Sequence, residues 1–249
     1  MKQYIPAASV SKKLYKEDKK NSYVVILGNP NSGKTALFNR LTGLHQKISN
    51  FPGVTVEKKR GWVKNENILI EDLPGSYSLK AQSLDEKIVT DYVQSWRLKK
   101  NRPDAVVVVI DATNFARNIF FALQILDWQL PTILVLNMID EARDIKLTFD
   151  LYGLQKRLNA VAVIEASAKS GEGINEIVSA IKTVLKQKEH IKKNPVLLKL
   201  DDRHYPLQEL IDYLIKIRRG GNILPLIDSI RLVADDAYIS FLAPFLNHQ

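Results

Sequence analysis

The sequence lacks cysteine entirely and has only two methionines among its 249 residues. The absence of cysteine excludes disulfides, thiolate metal sites and cysteine nucleophiles, and it is typical of a cytosolic protein. No apolar run approaches the roughly 18 to 20 residues that a membrane-spanning helix needs, and the first residues lack the pattern of a secretory signal. The length of 249 residues allows one sizeable α/β domain and a smaller appendage, and 45% hydrophobic with 25% charged residues is typical of a soluble globular protein.

The net charge of +9 is concentrated at one end of the chain. Residues 1–22 contain six lysines against Glu17 and Asp18, so this segment carries +4 and the other 227 residues carry +5. We interpret the segment as a basic, solvated N-terminal tail, with contact to acidic lipid or RNA as the open alternative.

A glycine-rich segment between a strand and a helix carries the strongest functional signal. Residues 28–35 read Gly-Asn-Pro-Asn-Ser-Gly-Lys-Thr and match the pattern G-x-x-x-x-G-K-[ST]. The apolar run at 23–27 predicts a buried parallel strand, and the period of 36–44 predicts a helix. Such a loop directs backbone N–H groups at phosphates, while its lysine spans the β and γ phosphates and its threonine binds Mg²⁺. The predicted nucleotide contacts here are Gly28, Asn29, Pro30, Asn31, Ser32, Gly33, Lys34, Thr35 and Ala36.

The rest of the sequence to residue 185 alternates between strand and helix patterns, which predicts a doubly wound, mostly parallel α/β sheet of the P-loop GTPase type. Residues 45–54 have turn formers and no apolar period, and we predict a loop there. The predicted strands are 55–63 and 68–70, forming a hairpin that ends at Asp72, then 105–111, 132–136 and 160–166. The predicted helices are 83–96, which opens with a capping box, then 114–126, 148–158 and 174–185.

The sequence Asp72-Leu73-Pro74-Gly75 follows the predicted hairpin. An aspartate at a strand end beside a phosphate loop can hold Mg²⁺ through water, and Gly75 can turn its N–H toward a γ-phosphate. Alone, D-x-x-G is more often a turn. Downstream of a phosphate loop it indicates a GTPase.

Two later segments indicate which base is bound. Asn137-Met138-Ile139-Asp140 and Ser167-Ala168-Lys169 each follow a predicted strand. The Asp140 carboxylate can accept from guanine N1–H and the 2-amino group together, whereas adenine would leave a buried carboxylate unpaired. The Ala168 N–H can donate to guanine O6, and Asn137 can tie the two loops together. Asp140 could alternatively cap a helix, but both loops in this order favour GTP over ATP.

These motifs resemble those of Ras-like, translation-factor-class GTPases, and their finer sequence is similar to the amino-terminal cytosolic G domain of the ferrous iron transport protein B family. The likeness lies at 28–35, 50–59, 72–79, 111–114 and 137–142, and extends over about residues 23–185. It implies a GTPase domain that hydrolyses GTP to GDP and phosphate. It also implies a membrane permease portion of the same polypeptide and a location at the cytoplasmic face of the bacterial inner membrane.

The resemblance also implies roles for the segment before the hairpin. Thr55, preceded by Gly53 and Val54, is the switch I threonine that reaches Mg²⁺ and the γ-phosphate in the GTP state, beside Thr35 and the water-bound Asp72. The metal and catalytic residues implied are Thr35, Thr55 and Asp72 for Mg²⁺, and Asn31, Lys34, Thr55 and Gly75 for hydrolysis.

A potassium site follows from the same resemblance. Asn31 and the carbonyls around Ser49 to Phe51 would hold K⁺ where other GTPases place an arginine finger. Ser76 occupies the place of the water-orienting glutamine and is too short for that role, so we expect slow hydrolysis that K⁺ stimulates. Met138 replaces the lysine of N-K-x-D and supplies no ammonium, which favours modest affinity and fast exchange.

Residues 186–249 show two or three short amphipathic helix patterns and predict a small all-α subdomain. By the resemblance it links to the membrane part and restrains GDP release, with an inert appendage as the alternative. The four histidines are scattered, so iron enters only through the resemblance.

Two other functions and the state of assembly are left open by the sequence. A soluble RNA-binding GTPase fits the pI of about 9.5, although residues 186–249 show no KH or RNP pattern and we expect no nucleic-acid partner. A nucleotide-dependent interaction module is the third reading, and a homo-oligomer also remains open.

Overall fold

The computed structural model of the chain describes residues 22–43, 46–51, 54–98 and 101–186. Apart from Ser22 and Lys186, the predicted basic tail and the predicted helical subdomain lie outside these ranges. None of the helices in the described ranges has both the length and the apolar character needed to cross a membrane.

Seven strands form one mixed sheet with helices on both faces. The strands are β1 (Ser22–Gly28), β2 (Gln46–Asn50), β3 (Glu57–Trp62), β4 (Ile68–Asp72), β5 (Ala105–Asp111), β6 (Thr132–Asn137) and β7 (Ala162–Glu165). The helices are α1 (Lys34–Thr42), α2 (Leu84–Ser95), α3 (Phe115–Leu126), α4 (Ile139–Asp144), α5 (Leu151–Leu158) and α6 (Ile174–Lys186), with a 3-10 turn at Ala112–Asn114. The strand order is β2-β3-β4-β1-β5-β6-β7. The strands β4, β1, β5, β6 and β7 pair in parallel, and β3 is antiparallel to both of its neighbours.

The central strands are apolar on both faces because each face is covered by helices. Along β5, Val106 and Val108 pack into one core with residues of α2 and α3, while Val107 and Val109 pack into the other with residues of α1 and α6. The fully buried run Ala105–Ile110 therefore has the continuous hydrophobic sequence that a two-sided strand requires. The predicted strand at 105–111 is confirmed at both ends.

The prediction of a loop at 45–54 is wrong for residues 46–50, which form β2 and pair with β3 from Gln46↔Gly61 to Asn50↔Glu57. Strand β2 lies at the edge of the sheet, and its one large apolar side chain, Ile48, is 55% exposed. An edge strand without a buried face leaves no apolar period in the sequence, so its pairing with β3 was not predictable from pattern.

One predicted helix begins later than expected, and one helix was not predicted. The helix predicted to begin at residue 148 begins at Leu151, because the Asp150 carboxylate accepts a 2.9 Å hydrogen bond from Gly153 N and caps it. The segment after Asn137 is a short helix, α4, which was not predicted. The other elements predicted between residues 22 and 186 are confirmed with ends shifted by up to two residues.

Candidate nucleotide-binding site

The predicted phosphate loop joins the carboxyl end of β1 to the start of α1, at the centre of the sheet. Ser32 donates from both N and Oγ to Asn29 O, at 3.3 and 2.9 Å. Gly33 has a φ of 81°, and a Cβ there would lie 2.1 Å from Asn137 Nδ2. The loop is thus a tight turn that only glycine permits at this point.

Lys34, Thr35 and Asp72 lie together at one end of this loop because β4 and β1 are parallel neighbours, with Asp72 opposite Ile26. Thr35 Oγ1 donates to Asp72 Oδ2 at 3.1 Å. The other carboxylate oxygen, Oδ1, is buried and has no hydrogen-bond partner among the described residues. A hydroxyl and a buried carboxylate oxygen are ligands that Mg²⁺ accepts, so this donor set fits the ion.

Burial dominates the electrostatics of this end of the site. It raises the pKa of the Asp72 carboxyl above its ordinary 3.8, while Lys34 and the Thr35 hydrogen bond act in the opposite direction. It lowers the pKa of Lys34 below 10.5, against the attraction of Asp72. Burial therefore disfavours the charged forms of both Lys34 and Asp72 in the isolated protein. A bound phosphate beside Lys34 and a cation beside Asp72 would stabilise these charges.

The segment after Asp72 packs directly on the phosphate loop. A Cβ on Gly75 would lie 2.7 Å from Pro30 Cα, and Ser76 N donates to Gly28 O at 3.1 Å. Ser76 is fully buried and its hydroxyl donates to Ser78 O at 2.7 Å. The Ser76 side chain is therefore engaged within its own segment.

Asn137 connects the two loops predicted to contact the base (the base loops, 137–140 and 167–169) to the predicted phosphate loop. Its Nδ2 donates to Ser32 O at 2.8 Å, and its Oδ1 accepts from Ala168 N at 3.0 Å. The tie between the two base loops is therefore present, and it extends to the phosphate loop. The Ala168 N–H already has an acceptor, so its predicted donation to guanine O6 would have to be shared with Asn137.

Asp140 and Met138 flank this connection. Asp140 is half-buried in the first turn of α4, and Met138, at a φ of 62°, precedes the helix. The Met138 Cε lies 3.7 Å from the point where a Gly33 Cβ would be, so this side chain covers the loop. Ser167 and Ala168 are buried, while Lys169 is exposed.

Residues 22–181, more than half of the chain, match the family described as Ferrous iron transport protein B. The chain belongs to the ferrous iron transport protein B (FeoB) family. It is 44% identical over 176 residues to the Fe(2+) transporter FeoB of Leptospira biflexa serovar Patoc, covering 70% of this chain and 24% of that protein. This chain thus spans about a quarter of the length of that FeoB relative.

Solved FeoB structures match the fold described above. A mutant of S. thermophilus NFeoB bound to mGDP has a TM-score of 0.71 and 30% identity, covering 92% of this chain and 84% of that chain. The GMPPNP form of the T. maritima FeoB cytosolic domain has a TM-score of 0.69 and 32% identity, covering 90% and 85%. The predicted class, a mostly parallel P-loop GTPase sheet, is confirmed.

Among the described residues, the predicted switch I segment makes no side-chain hydrogen bond to the phosphate loop. Thr55 and Ser49 are exposed, and among the described residues no hydrogen bond joins Thr55 to Thr35 or Asp72. Phe51 is buried, its carbonyl accepts from Val54 N at 3.2 Å, and its ring lies edge-on to Tyr92 with centroids 6.5 Å apart. Gly53 lies outside the described residues, and Asn31 is exposed. The K⁺ set and the role of Thr55 stay predictions.

Two arginines that sequence reasoning missed hold the loop at 167–173. Arg40 of α1 donates to Ala168 O and Lys169 O, at 2.9 and 2.6 Å. Arg143 of α4 pairs with Glu165 and Glu172, each at 2.8 Å. Neither arginine belongs to a recognisable motif. A basic residue in the last turn of the helix after the phosphate loop was the one available signal.

Proposed function

We propose that this FeoB chain binds GTP with Mg²⁺ and hydrolyses it slowly to GDP and phosphate, as the regulatory domain of a ferrous iron transporter. The observation that carries the proposal is the convergence of the phosphate loop, the Thr35–Asp72 pair and Asn137 at the carboxyl ends of the parallel strands. The nucleotides named in the S. thermophilus and T. maritima structures support the same assignment.

The phosphates would be bound by the main chain of residues 28–35 and by Lys34, whose ammonium is buried at the start of α1. Thr35, Asp72 through water, and Thr55 after switch I closure would hold Mg²⁺, which neutralises charge between the β and γ phosphates. Gly75 N–H would donate to the γ-phosphate. Asp140 would accept from the guanine edge, and Asn137 would keep the base loops in register with the phosphate loop.

Slow hydrolysis follows from the engagement of Ser76. Because its hydroxyl donates to Ser78 O, it does not replace the glutamine that orients water in Ras-like enzymes. We expect backbone groups to hold the attacking water. K⁺ bound by Asn31 and the carbonyls near Ser49 and Phe51 would add positive charge against the transition state.

Iron transport is the proposed role of the longer protein. The L. biflexa and Salmonella typhimurium relatives are named Fe(2+) transporter FeoB, and this chain covers 24% and 20% of their lengths. We infer a G domain at 23–185, a linking segment at 186–249 and a permease portion in the same polypeptide at the inner membrane, with the G domain on its cytoplasmic face. Family membership favours this role over a soluble RNA-binding GTPase.

Nucleotide selectivity and turnover test the proposal. We expect mant-GDP bound to the purified chain to be displaced by GDP and GTP but not by ADP or ATP. We also expect GTP turnover to stop when EDTA removes Mg²⁺. Equal displacement by adenosine and guanosine nucleotides, or turnover unchanged by EDTA, would contradict it.

A further inference from the structure

Arg40 links the two halves of the nucleotide site. It lies in the last turn of α1, the helix that begins at Lys34, and it donates to two consecutive main-chain carbonyls of the base loop. These carbonyls belong to Ala168 and Lys169, in the segment predicted to contact guanine. A guanidinium presents several N–H donors in a fixed planar fork, which suits two neighbouring acceptors.

The contact closes a ring of hydrogen bonds. Ser32 O accepts from Asn137 Nδ2, Asn137 Oδ1 accepts from Ala168 N, and Ala168 O accepts from Arg40 Nε. The chain from Arg40 back through α1 to Ser32 completes the ring. The N–H and the C=O of residue 168 are thus both held, one from each side of the site.

The base loop needs such support because its own sequence is permissive. Gly171 and Gly173 have φ values of 94° and 78°, and Lys169 and Ser170 are exposed. Ligand-binding loops of this kind open at low cost unless other elements hold them. Arg143 of α4 also holds this loop, through the exposed Glu172, whereas Arg40 joins the loop to the phosphate-binding helix.

We propose that Arg40 is a positioning residue that holds the base loop to the phosphate-binding helix and so prolongs the residence of bound guanine nucleotide. The proposal rests on the proposed function, because it concerns the release of the nucleotide that this site binds. Arg40 itself touches neither the base nor the phosphates in this scheme. It acts through Ala168 and Lys169.

The test is the rate at which excess GDP displaces mant-GDP from the full chain. We expect Arg40→Met to release mant-GDP roughly tenfold faster, since it loses two partly exposed hydrogen bonds from a charged donor. Arg40→Lys keeps a positive charge at the helix C-terminus, which by itself favours the helix dipole, but it loses the paired geometry. We therefore expect Arg40→Lys to release mant-GDP faster than the wild type and more slowly than Arg40→Met.

Lys182→Met is the matched control. Lys182 also anchors a helix to another element, through Glu66 at 2.5 Å, but it lies on α6 and contacts neither base loop. We expect its release rate to equal that of the wild type. Hydrogen exchange provides the second readout, and in Arg40→Met it should rise at 166–173 while β1 and β5 stay protected.

The outcomes separate the two proposals. Failure of the wild type to bind mant-GDP would defeat the proposed function. Wild-type binding with Arg40→Met release within about twofold of the wild-type rate would overturn the role of Arg40 alone. Exchange that rises in β1 and β5 as well, or a Lys182→Met rate as fast as that of Arg40→Met, would show a merely structural effect and would also overturn it.

Discussion

In the proposed function, Asp140 is the residue on which base selection depends. It sits in the first turn of α4, whose position is fixed by the bond from Ile139 N to Ala166 O at 3.1 Å. A carboxylate accepts two hydrogen bonds, whereas an amide accepts one and donates one. Replacing the Asp140 carboxylate by an amide should therefore change which base the site prefers.

We expect Asp140→Asn to weaken GDP binding by roughly 10²- to 10⁴-fold and to gain binding of xanthosine diphosphate. Xanthine keeps N1–H but carries a carbonyl where guanine has the 2-amino group, which matches the amide. Competition against mant-GDP and a xanthosine analogue would measure both changes. Glu141→Gln, the exposed neighbour on α4, serves as the control and should retain guanine preference.

Asn31 offers a second test on a single side chain. It is exposed and has a φ of 64°, so Asn31→Ala changes the side chain at a position where the backbone is already unusual. Asn31→Asp keeps an oxygen ligand and a residue that tolerates this backbone. If Asn31 binds K⁺, the ratio of GTP turnover in KCl to that in NaCl should fall to about one in Asn31→Ala and stay higher in Asn31→Asp. A ratio unchanged by Asn31→Ala would contradict the potassium site.

Sequence and structure agree at residues that belong to a motif beside a strand end, and they differ at Arg40, which belongs to no motif. The phosphate loop, Asp72 and Asn137 were predicted because each requires a particular side chain beside a strand end. Arg40 was not predicted, because its acceptors are carbonyls 128 and 129 residues away, and every residue has a carbonyl. Nothing in the sequence marks which carbonyls will meet a given arginine.

At the scale of elements, the hairpin of β3 and β4 carries a buried ionic cluster beside Asp72, the aspartate proposed to hold Mg²⁺. Glu71 is fully buried and pairs with Lys58 and Arg60, each at 2.6 Å. Lys58 Nζ also lies 5.2 and 5.3 Å from the ring centroids of Phe51 and Tyr92. Burial lowers the pKa of Lys58, with Glu71 opposing the change. Through Lys58, the cluster therefore connects Glu71 of β4 to Phe51, the residue that follows the edge strand β2.

We expect Glu71→Ala to lower the free energy of unfolding by roughly 3–5 kcal/mol, because it leaves two cations without their buried counter-charge. Urea denaturation monitored by circular dichroism would measure the loss. Glu57→Ala removes an exposed pair with Lys59 at 3.7 Å on the same hairpin, and should cost under about 1 kcal/mol. Losses of similar size in the two variants would contradict the importance of burial.

The elements themselves were predictable in proportion to their burial. Strands β1 and β5 are enclosed on both faces and therefore consist of continuous apolar residues. Strand β2 touches the sheet along one edge and displays Lys47 and Ile48 to solvent, so its sequence resembles a loop. Helix α4 is six residues long, too short to show a full apolar period.

At the scale of the whole molecule, the stability of the fold opposes the function proposed for Asp72. Its pKa is raised in the folded state, so at neutral pH the ionised carboxylate destabilises the nucleotide-free fold. We expect Asp72→Asn in EDTA to be as stable as the wild type or more stable. Its advantage should shrink as the pH falls toward 3.8, because protonation then relieves the wild type. A loss above about 1 kcal/mol in this variant would contradict the argument.

Nucleotide should reverse that order of stability. Ligand bound only to the folded state adds about 2.7 kcal/mol at a hundred times its dissociation constant. We expect GDP with Mg²⁺ to stabilise the wild type by such an amount and Asp72→Asn by much less. Thermal unfolding with and without GDP, in Mg²⁺ and in EDTA, would measure the difference.

The outermost position of β2 has a thermodynamic consequence for switching. Strand β2 pairs with β3 through five residue pairs, and no strand of the described residues pairs with its other edge. Detaching β2 would break its pairing with β3 and would leave β4, β1 and β5 paired at the centre of the sheet. If the segment after β2 senses the terminal phosphate as proposed, it can rearrange by giving up the β2–β3 pairing while the pairing of the central strands is kept.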